Sequence, residues 1–285
     1  MKREARQGKD MKTEKYVAEH RGHAVPLLVL RPDHQKPDAA GVLWIHGGGY
    51  ILGMKEMARF SRAADLVDRF GAVVVSPGYR LAFQSPYPAA IEDCYAALLW
   101  LKEHAAALHV NPAQLMVGGE SAGGGLTAAL CMLARDRGEV GIAFQMPLYP
   151  MLDNLDTETS KDNHGRVWNT RRNHFGWRMY LRKNAKSSGV SPYAAAARQT
   201  DYRNLPPCYT FVCAGEPFYA ETLAFIDRLK AAGVEGEVDI YPGNTHAFDL
   251  MKPNREPAKQ AIAAFDRQFA RALAHCFREQ PMPQR

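Results

Sequence analysis

A short apolar run, Leu115-Met116-Val117, leads into Gly118-Gly119-Glu120-Ser121-Ala122-Gly123-Gly124-Gly125, and Leu126, Leu130 and Leu133 then recur at helical spacing toward Arg137. That order reads as a strand, a sharp elbow and a helix. An elbow that lifts a serine hydroxyl clear of a sheet needs backbone angles and close approaches that a Cβ would obstruct, and Gly119 and Gly123 stand where that room is needed. The following helix points unpaired N–H groups back at the turn and favours negative charge developing beside Ser121. An acyl-transfer nucleophile requires that setting. Taken alone, a Gly-x-Ser-x-Gly stretch also fits a glycine-rich turn with no chemistry, so the rest of the chain has to decide.

The 285 residues are enough to bury a full core, and the reading is one α/β domain over residues 1–285 with an insertion. The charged N-terminus precedes no apolar run long enough for a secretory segment or a membrane span. A cytoplasmic protein with a loose first dozen residues is therefore expected. Five cysteines, an odd number with no Cys-x-x-Cys pair, argue against a metal site or a disulfide framework. The formal charge of +6 is concentrated between Lys161 and Lys186, where eight Lys or Arg face Asp162 alone. That segment reads as a solvated helix face, or as a basic rim attracting anionic substrates or acid products. No nucleic-acid motif accompanies the charge, so no nucleic-acid partner is expected.

Lys15–His20 and Pro26–Arg31 read as a hairpin, and Val42–Ile45 as a buried strand running into His46-Gly47-Gly48-Gly49-Tyr50. A helix over Met57–Phe70 stops at Gly71, and the strand Val73–Ser76 follows. Ala89–Leu101 is helical, and Asn111-Pro112 is expected to break the chain before the elbow strand. Ile142–Leu148, Tyr209–Cys213 and Glu237–Tyr241 read as further strands, with a helix over Ala220–Ala232 and a closing helix over Arg255–Phe277. Strands alternating with helices imply a mostly parallel sheet covered on both faces. The rhythm lapses between about Leu152 and Leu205. That polar, basic and aromatic stretch, with Trp177, Tyr180 and Leu181 on one helical face, is taken as an inserted helical cap, with a minor contribution from residues 1–14.

A serine hydroxyl is a poor nucleophile until a base takes its proton, and the base works best when a carboxylate orients it. In a parallel sheet such residues sit just beyond strand ends. Glu216, after the strand ending at Cys213, and His246, after the strand ending at Tyr241, meet that condition in the order nucleophile, acid, base. Glu221 and Asp249 are alternative acids; His109 and His275 are less well placed bases. The N–H groups of Gly48, Gly49 and Ala122 are candidate donors to an oxyanion. The imidazole of His46, beside Gly47, reads as a brace for that loop.

With His46-Gly47-Gly48-Gly49, Gly119-Glu120-Ser121-Ala122-Gly123-Gly124, Glu216-Pro217-Phe218 and His246-Ala247-Phe248 in this order, the chain resembles the hormone-sensitive-lipase-like (bacterial family IV) carboxylesterases of the α/β-hydrolase superfamily. Tyr79-Arg80-Leu81-Ala82 and Ser191-Pro192-Tyr193-Ala194 also look like that family, so the resemblance runs from about Lys15 to the C-terminal helix. It implies an eight-stranded α/β-hydrolase sheet under a cap, no cofactor, no metal, and hydrolysis of short to medium acyl esters. Carried over residue by residue, it implies Ser121 as nucleophile, His246 as base, Glu216 as acid, and Gly48, Gly49 and Ala122 as oxyanion hole, with His46, Gly47 and Glu120 in support. Three features depart from the pattern: Glu where Asp is commoner before Pro217, Phe83-Gln84 after the Tyr79–Ala82 tetrapeptide, and a short N-terminal segment. The expected partner is a small-molecule ester, without membrane association; a homodimer is an open alternative to a monomer. An amidase or peptidase on the same residues, or a non-catalytic ligand-binding protein of this fold, are the rival readings. A lid for oil interfaces would need a long aliphatic face that Leu152–Leu205 lacks.

Overall fold

In the computed structural model, residues 11–282 are described. Eight strands form one sheet in the order β1-β2-β4-β3-β5-β6-β7-β8. They are β1 (Met11–His20), β2 (His23–Pro32), β3 (Ala39–Ile45), β4 (Val73–Pro77), β5 (Val110–Glu120), β6 (Phe144–Leu148), β7 (Cys208–Cys213) and β8 (Gly236–Tyr241). β2 runs antiparallel to β1 and to β4, and all other pairings are parallel. Within β3, Leu43 and Ile45 face one core layer while Val42 and Trp44 face the other. A strand buried on both faces is apolar throughout, which is why the central strands read as continuous hydrophobic runs. The helices α2 (Ala89–Glu103), α3 (Ala122–Arg137) and α5 (Tyr219–Ala231) cover the first face. Helices α1 (Arg62–Phe70), the single-turn α6 (Phe248–Met251) and α7 (Glu256–His275) cover the second. Among the described residues no helix is long and apolar enough to cross a membrane.

The sheet order places the chemistry. From β3 the chain steps outward to β4, then crosses back over to β5 on the far side of β3, so loops leaving β3 and β5 diverge and open a crevice between them. Ile45 pairs with Gly119 at the strand ends, which sets the His46–Tyr50 loop beside the elbow. Cys213 pairs with Tyr241, which brings the Glu216 and His246 loops off the same edge together.

Several boundaries differ from the sequence reading, each for a local reason. Met11–Glu14, expected to contribute to a cap, are the start of β1 and pair with β2 from Pro32 to Val29; residues 1–10 lie outside the described residues. The helix expected over Met57–Phe70 is divided into a 3-10 turn (Lys55–Phe60) and α1, because Ser61 Oγ accepts the Ala63 N–H at 3.2 Å and caps a new start. Asn111-Pro112 does not end the strand. β5 begins at Val110, but its pairing with β3 jumps from Ala39–Val110 to Gly41–Leu115, so the proline falls in a bulge where no ladder hydrogen bond is asked of it. β2 and β3 each begin three residues earlier than the sequence reading, and the remaining elements it named match to within one or two residues.

Residues 149–207, between β6 and β7, hold α4 (Thr170–Leu181) and two further 3-10 turns. Asn169 caps α4, its side chain accepting the Arg172 N–H at 3.1 Å. The expected face of α4 is its buried face: Trp177, Tyr180 and Leu181 are inside, and Tyr180 stacks on Tyr50 with ring centroids 4.1 Å apart. All eight cations between Lys161 and Lys186 are exposed.

Candidate active site

Ser121 sits between the end of β5 and the first residue of α3 with φ 59° and ψ −119°. Positive φ is costly for a residue with a Cβ and persists only where the surroundings fix it. Here they do: Ser121 N–H donates to Leu148 O (3.0 Å), and Ser121 O accepts from Gly125 N–H and Met151 N–H (both 2.9 Å). The sequence reading assigned both the unusual angle and the close approach to the flanking glycines. The angle falls on Ser121 itself, and the glycines supply the approach: a Cβ on Gly123 would lie 2.1 Å from Ile45 O. β3 and the elbow can therefore touch backbone to backbone.

His246 Nε2 lies 2.8 Å from Ser121 Oγ, and His246 Nδ1 donates to Glu216 Oε2 in a very short contact. Glu216 Oε1 accepts the Cys213 N–H at 3.1 Å, so the longer Glu side chain uses one oxygen to hold itself and the other to hold the imidazole. All three side chains are buried, Glu216 completely. The alternative acids are elsewhere. Glu221 accepts Leu152 N–H at 2.7 Å, and Asp249 lies 3.3 Å from Arg62 Nε. His109 stands before β5, and His275 ends α7 at the far pole of the sheet.

The glycine run beyond β3 turns tightly. Gly48 O accepts from Ile51 N–H and Leu52 N–H (3.1 and 3.0 Å), and Gly48 and Gly49 take φ of +118° and +62°. Ala122 is the first residue of α3, so its N–H has no carbonyl one turn back to bond. Gly47 packs against Ser121: a Cβ there would sit 3.2 Å from Ser121 Cβ. His46 is packed into this loop. Its ring stacks on Tyr79 at 4.2 Å, its Nδ1–H donates to Gly47 O (2.8 Å), and Tyr79 O–H donates to His46 O (3.0 Å). Burial pushes His46 down to about 4, so it is neutral at neutral pH. The loop continuing through Phe83-Gln84 is tied in on both sides: Ala82 N–H donates to Tyr50 O (2.8 Å), Arg182 Nη2 donates to Ala82 O (2.9 Å), and Gln84 Oε1 accepts Leu81 N–H (3.1 Å).

Two sets of contacts go beyond the sequence reading. Tyr149, Phe218 and Trp168 surround His246 with ring centroids 5.1, 5.0 and 6.5 Å away. Tyr149 directly follows a strand end and Phe218 closes the Glu216-Pro217-Phe218 motif, signals that could have placed both beside the imidazole; Trp168 is one of several cap aromatics and no period singles it out. The second set is a buried charge cluster behind the elbow, in which Arg62 pairs with Asp65 (2.6 Å) and with Asp249, and Glu120 lies near enough to Asp249 to feel its charge. Burial, reinforced by Asp249, pushes Glu120 up to about 8, so the fold holds this carboxyl protonated at neutral pH. An acid raised on folding contributes stability that is full below its unfolded value of 4.5 and is lost as pH rises through about 8. Glu120→Gln should remove that loss, a few kcal/mol at about 1.4 kcal/mol per unit. The melting temperature of the variant relative to the parent should climb between about pH 5 and 9; a difference flat across that range contradicts the assignment.

A model of the α/β hydrolase fold family matches residues 42–250. The carboxylesterase NlhH of Mycobacterium tuberculosis is 31% identical over 250 residues, covering 85% of this chain and 78% of that protein. The ethyl acetate hydrolase of Pseudomonas putida is 28% identical over 244 residues, covering 85% of this chain and 76% of its own. Among solved structures, a bacterial heroin esterase aligns with a TM-score of 0.89 at 32% identity, covering 93% of this chain and 86% of that one. With the sheet order, the elbow and these matches together, the chain belongs to the α/β-hydrolase-fold family, among its hormone-sensitive-lipase-like carboxylesterases.

Proposed function

We propose that the chain hydrolyses carboxylic esters of short to medium acyl length through a covalent intermediate on Ser121. The reading is carried by one observation: a single buried imidazole is bonded through one nitrogen to Ser121 Oγ and through the other to Glu216. With Nδ1–H committed to the carboxylate, Nε2 is left with its lone pair toward the serine hydroxyl, the state a general base needs. As Ser121 Oγ attacks the ester carbonyl carbon, its proton passes to His246 Nε2, and the carbonyl π pair moves onto oxygen. The N–H groups of Gly48, Gly49 and Ala122 hold that oxyanion, assisted by the N-terminus of α3. When the C–O bond to the alcohol breaks, its electrons leave with the alkoxide oxygen, which takes the proton from Nε2. Water then enters and gives one proton to Nε2 as its oxygen attacks the acyl carbon; the bond from that carbon to Ser121 Oγ breaks, Oγ takes the proton back from Nε2, and the acid is released. Glu216 stabilises the imidazolium in both halves.

Ser121 and His246 are only 7% and 4% exposed, so the reacting atoms are screened from bulk water; the short to medium range is what the family resemblance implies. A ladder of p-nitrophenyl esters from acetate to palmitate tests the reading. Turnover should be greatest among the short to medium chains and negligible at palmitate. A maximum at palmitate overturns the chain-length assignment, and amide turnover exceeding ester turnover overturns the ester assignment.

A further inference from the structure

Of the three rings around His246, Tyr149 and Phe218 are wholly buried, while Trp168 remains half-buried. Trp168 also reaches the opposite side of the reaction centre. Its six-membered ring lies directly on Gly49, where a Cβ would meet Cη2 at 2.1 Å and Cζ2 at 2.8 Å. One indole therefore borders both the glycine loop and the imidazole, with centroids 6.5 Å apart and planes tilted by 43°.

The segment that presents it is built to hold it still. Trp168 Nε1 donates to the buried Asn173 Oδ1 at 3.4 Å, and Arg172 Nη1 donates to Val167 O at 2.6 Å. Thr170 Oγ1 accepts Asn163 N–H (2.7 Å) and donates to Ser160 O (2.6 Å). Asn163 Nδ2 in turn donates to Gly215 O (3.1 Å), which ties the segment to the loop carrying Glu216. A ring fixed by its own hydrogen-bonded loop is pre-organised to receive a ligand face without paying to order it.

Which substrate group meets that face follows from the stereochemistry of the adduct, and so rests on the proposed function. The tetrahedral carbon carries four groups: Ser121 Oγ, the oxyanion, the alcohol oxygen and the acyl chain. The oxyanion points to the Gly48, Gly49 and Ala122 N–H groups, and the alcohol oxygen must lie within reach of His246 Nε2, which protonates it. The acyl chain takes the remaining direction. A ring spanning from Gly49 to His246 borders the sector between oxyanion and leaving oxygen, which is the sector of the alcohol.

We infer that Trp168 forms the wall of the leaving-alcohol subsite and selects esters whose alcohol is aromatic. An aryl or benzyl group laid on the indole gains an offset-stacked or edge-to-face contact that a saturated ring of equal size does not, a preference of roughly three- to tenfold. Benzyl acetate and cyclohexylmethyl acetate are matched probes, since carbon count and acyl group are shared and the flat aromatic face is what distinguishes them.

The test compares kcat/KM for these two acetates, and for p-nitrophenyl acetate against hexanoate, in the parent, Trp168→Leu and Trp168→Phe. Active sites are counted by titration with a p-nitrophenyl phosphonate, which stays bound to an active serine, so misfolded protein does not enter. The parent should favour benzyl acetate, Trp168→Phe should keep that preference, and Trp168→Leu should erase it while leaving the acetate-to-hexanoate ratio within about twofold. A preference absent from the parent, unchanged in Trp168→Leu, or replaced by a shift in the acyl ratio overturns the inference alone. A parent that turns over no p-nitrophenyl ester overturns the proposed function beneath it.

Discussion

Ser121→Ala leaves the fold intact and lowers kcat toward p-nitrophenyl acetate by about four to six powers of ten. The fold survives because the polar contacts that hold residue 121 are made by its backbone N–H and carbonyl, to Leu148, Gly125 and Met151, and alanine keeps all of them. The positive φ at position 121 is no worse for alanine than for serine, since both carry one Cβ. What disappears is Oγ, the atom 2.8 Å from His246 Nε2. Any residual rate comes from water reacting with an ester still held in the site. Circular dichroism together with kcat decides the matter: an unfolded variant, or one retaining more than about a hundredth of the parent rate, counts against Ser121 as nucleophile.

Glu216→Gln is expected to cost about three to four powers of ten, although it changes only one heavy atom. Glu216 receives two hydrogen bonds, Cys213 N–H on Oε1 and His246 Nδ1–H on Oε2. A glutamine has one accepting oxygen, so its amide must turn that oxygen to one donor and its NH2 to the other. The backbone N–H of Cys213 cannot change its role, but the imidazole can change tautomer. The oxygen therefore goes to Cys213, the NH2 faces Nδ1, and the ring proton moves to Nε2, where it blocks uptake of the serine proton. The loss should appear in kcat, with the melting temperature little altered. A variant whose rate falls less than about tenfold would show that Glu216 does not set the tautomer.

Much of this site was legible in the sequence because each part is a short local pattern tied to a strand end. The elbow shows as an apolar run, a glycine-flanked serine and a helical repeat, and the structure puts Ser121 between β5 and α3. Glu216 and His246 were legible by the same logic, and the register of β7 with β8 brings their loops together. Where the reading failed, the deciding interaction was side-chain capping or long-range pairing. Ser61 divides a helix whose apolar spacing looks continuous, because its hydroxyl takes an N–H that the helix would otherwise leave free. Asn111-Pro112 looks like a chain break but is absorbed by a bulge between β3 and β5. Trp168 is 47 residues from Ser121 and 78 from His246 along the chain, in a segment of no clear period, and only the loop network between Ser160 and Asn173 carries it to the imidazole. Glu120 and Asp249 were legible as a supporting residue and an alternative acid, but their grouping with Arg62 was hidden, because nothing local in the sequence shows that the fold buries all three together.

The central claim is that the substrate acyl group passes through Ser121, and it is tested most directly by trapping that intermediate. Protein mixed with p-nitrophenyl acetate and quenched in acid within the burst should gain the mass of one acetyl group, and digestion should place it on the peptide containing Ser121. A burst of p-nitrophenol with no protein-bound acetyl, or an acetyl group on any other residue in productive turnover, would contradict the account.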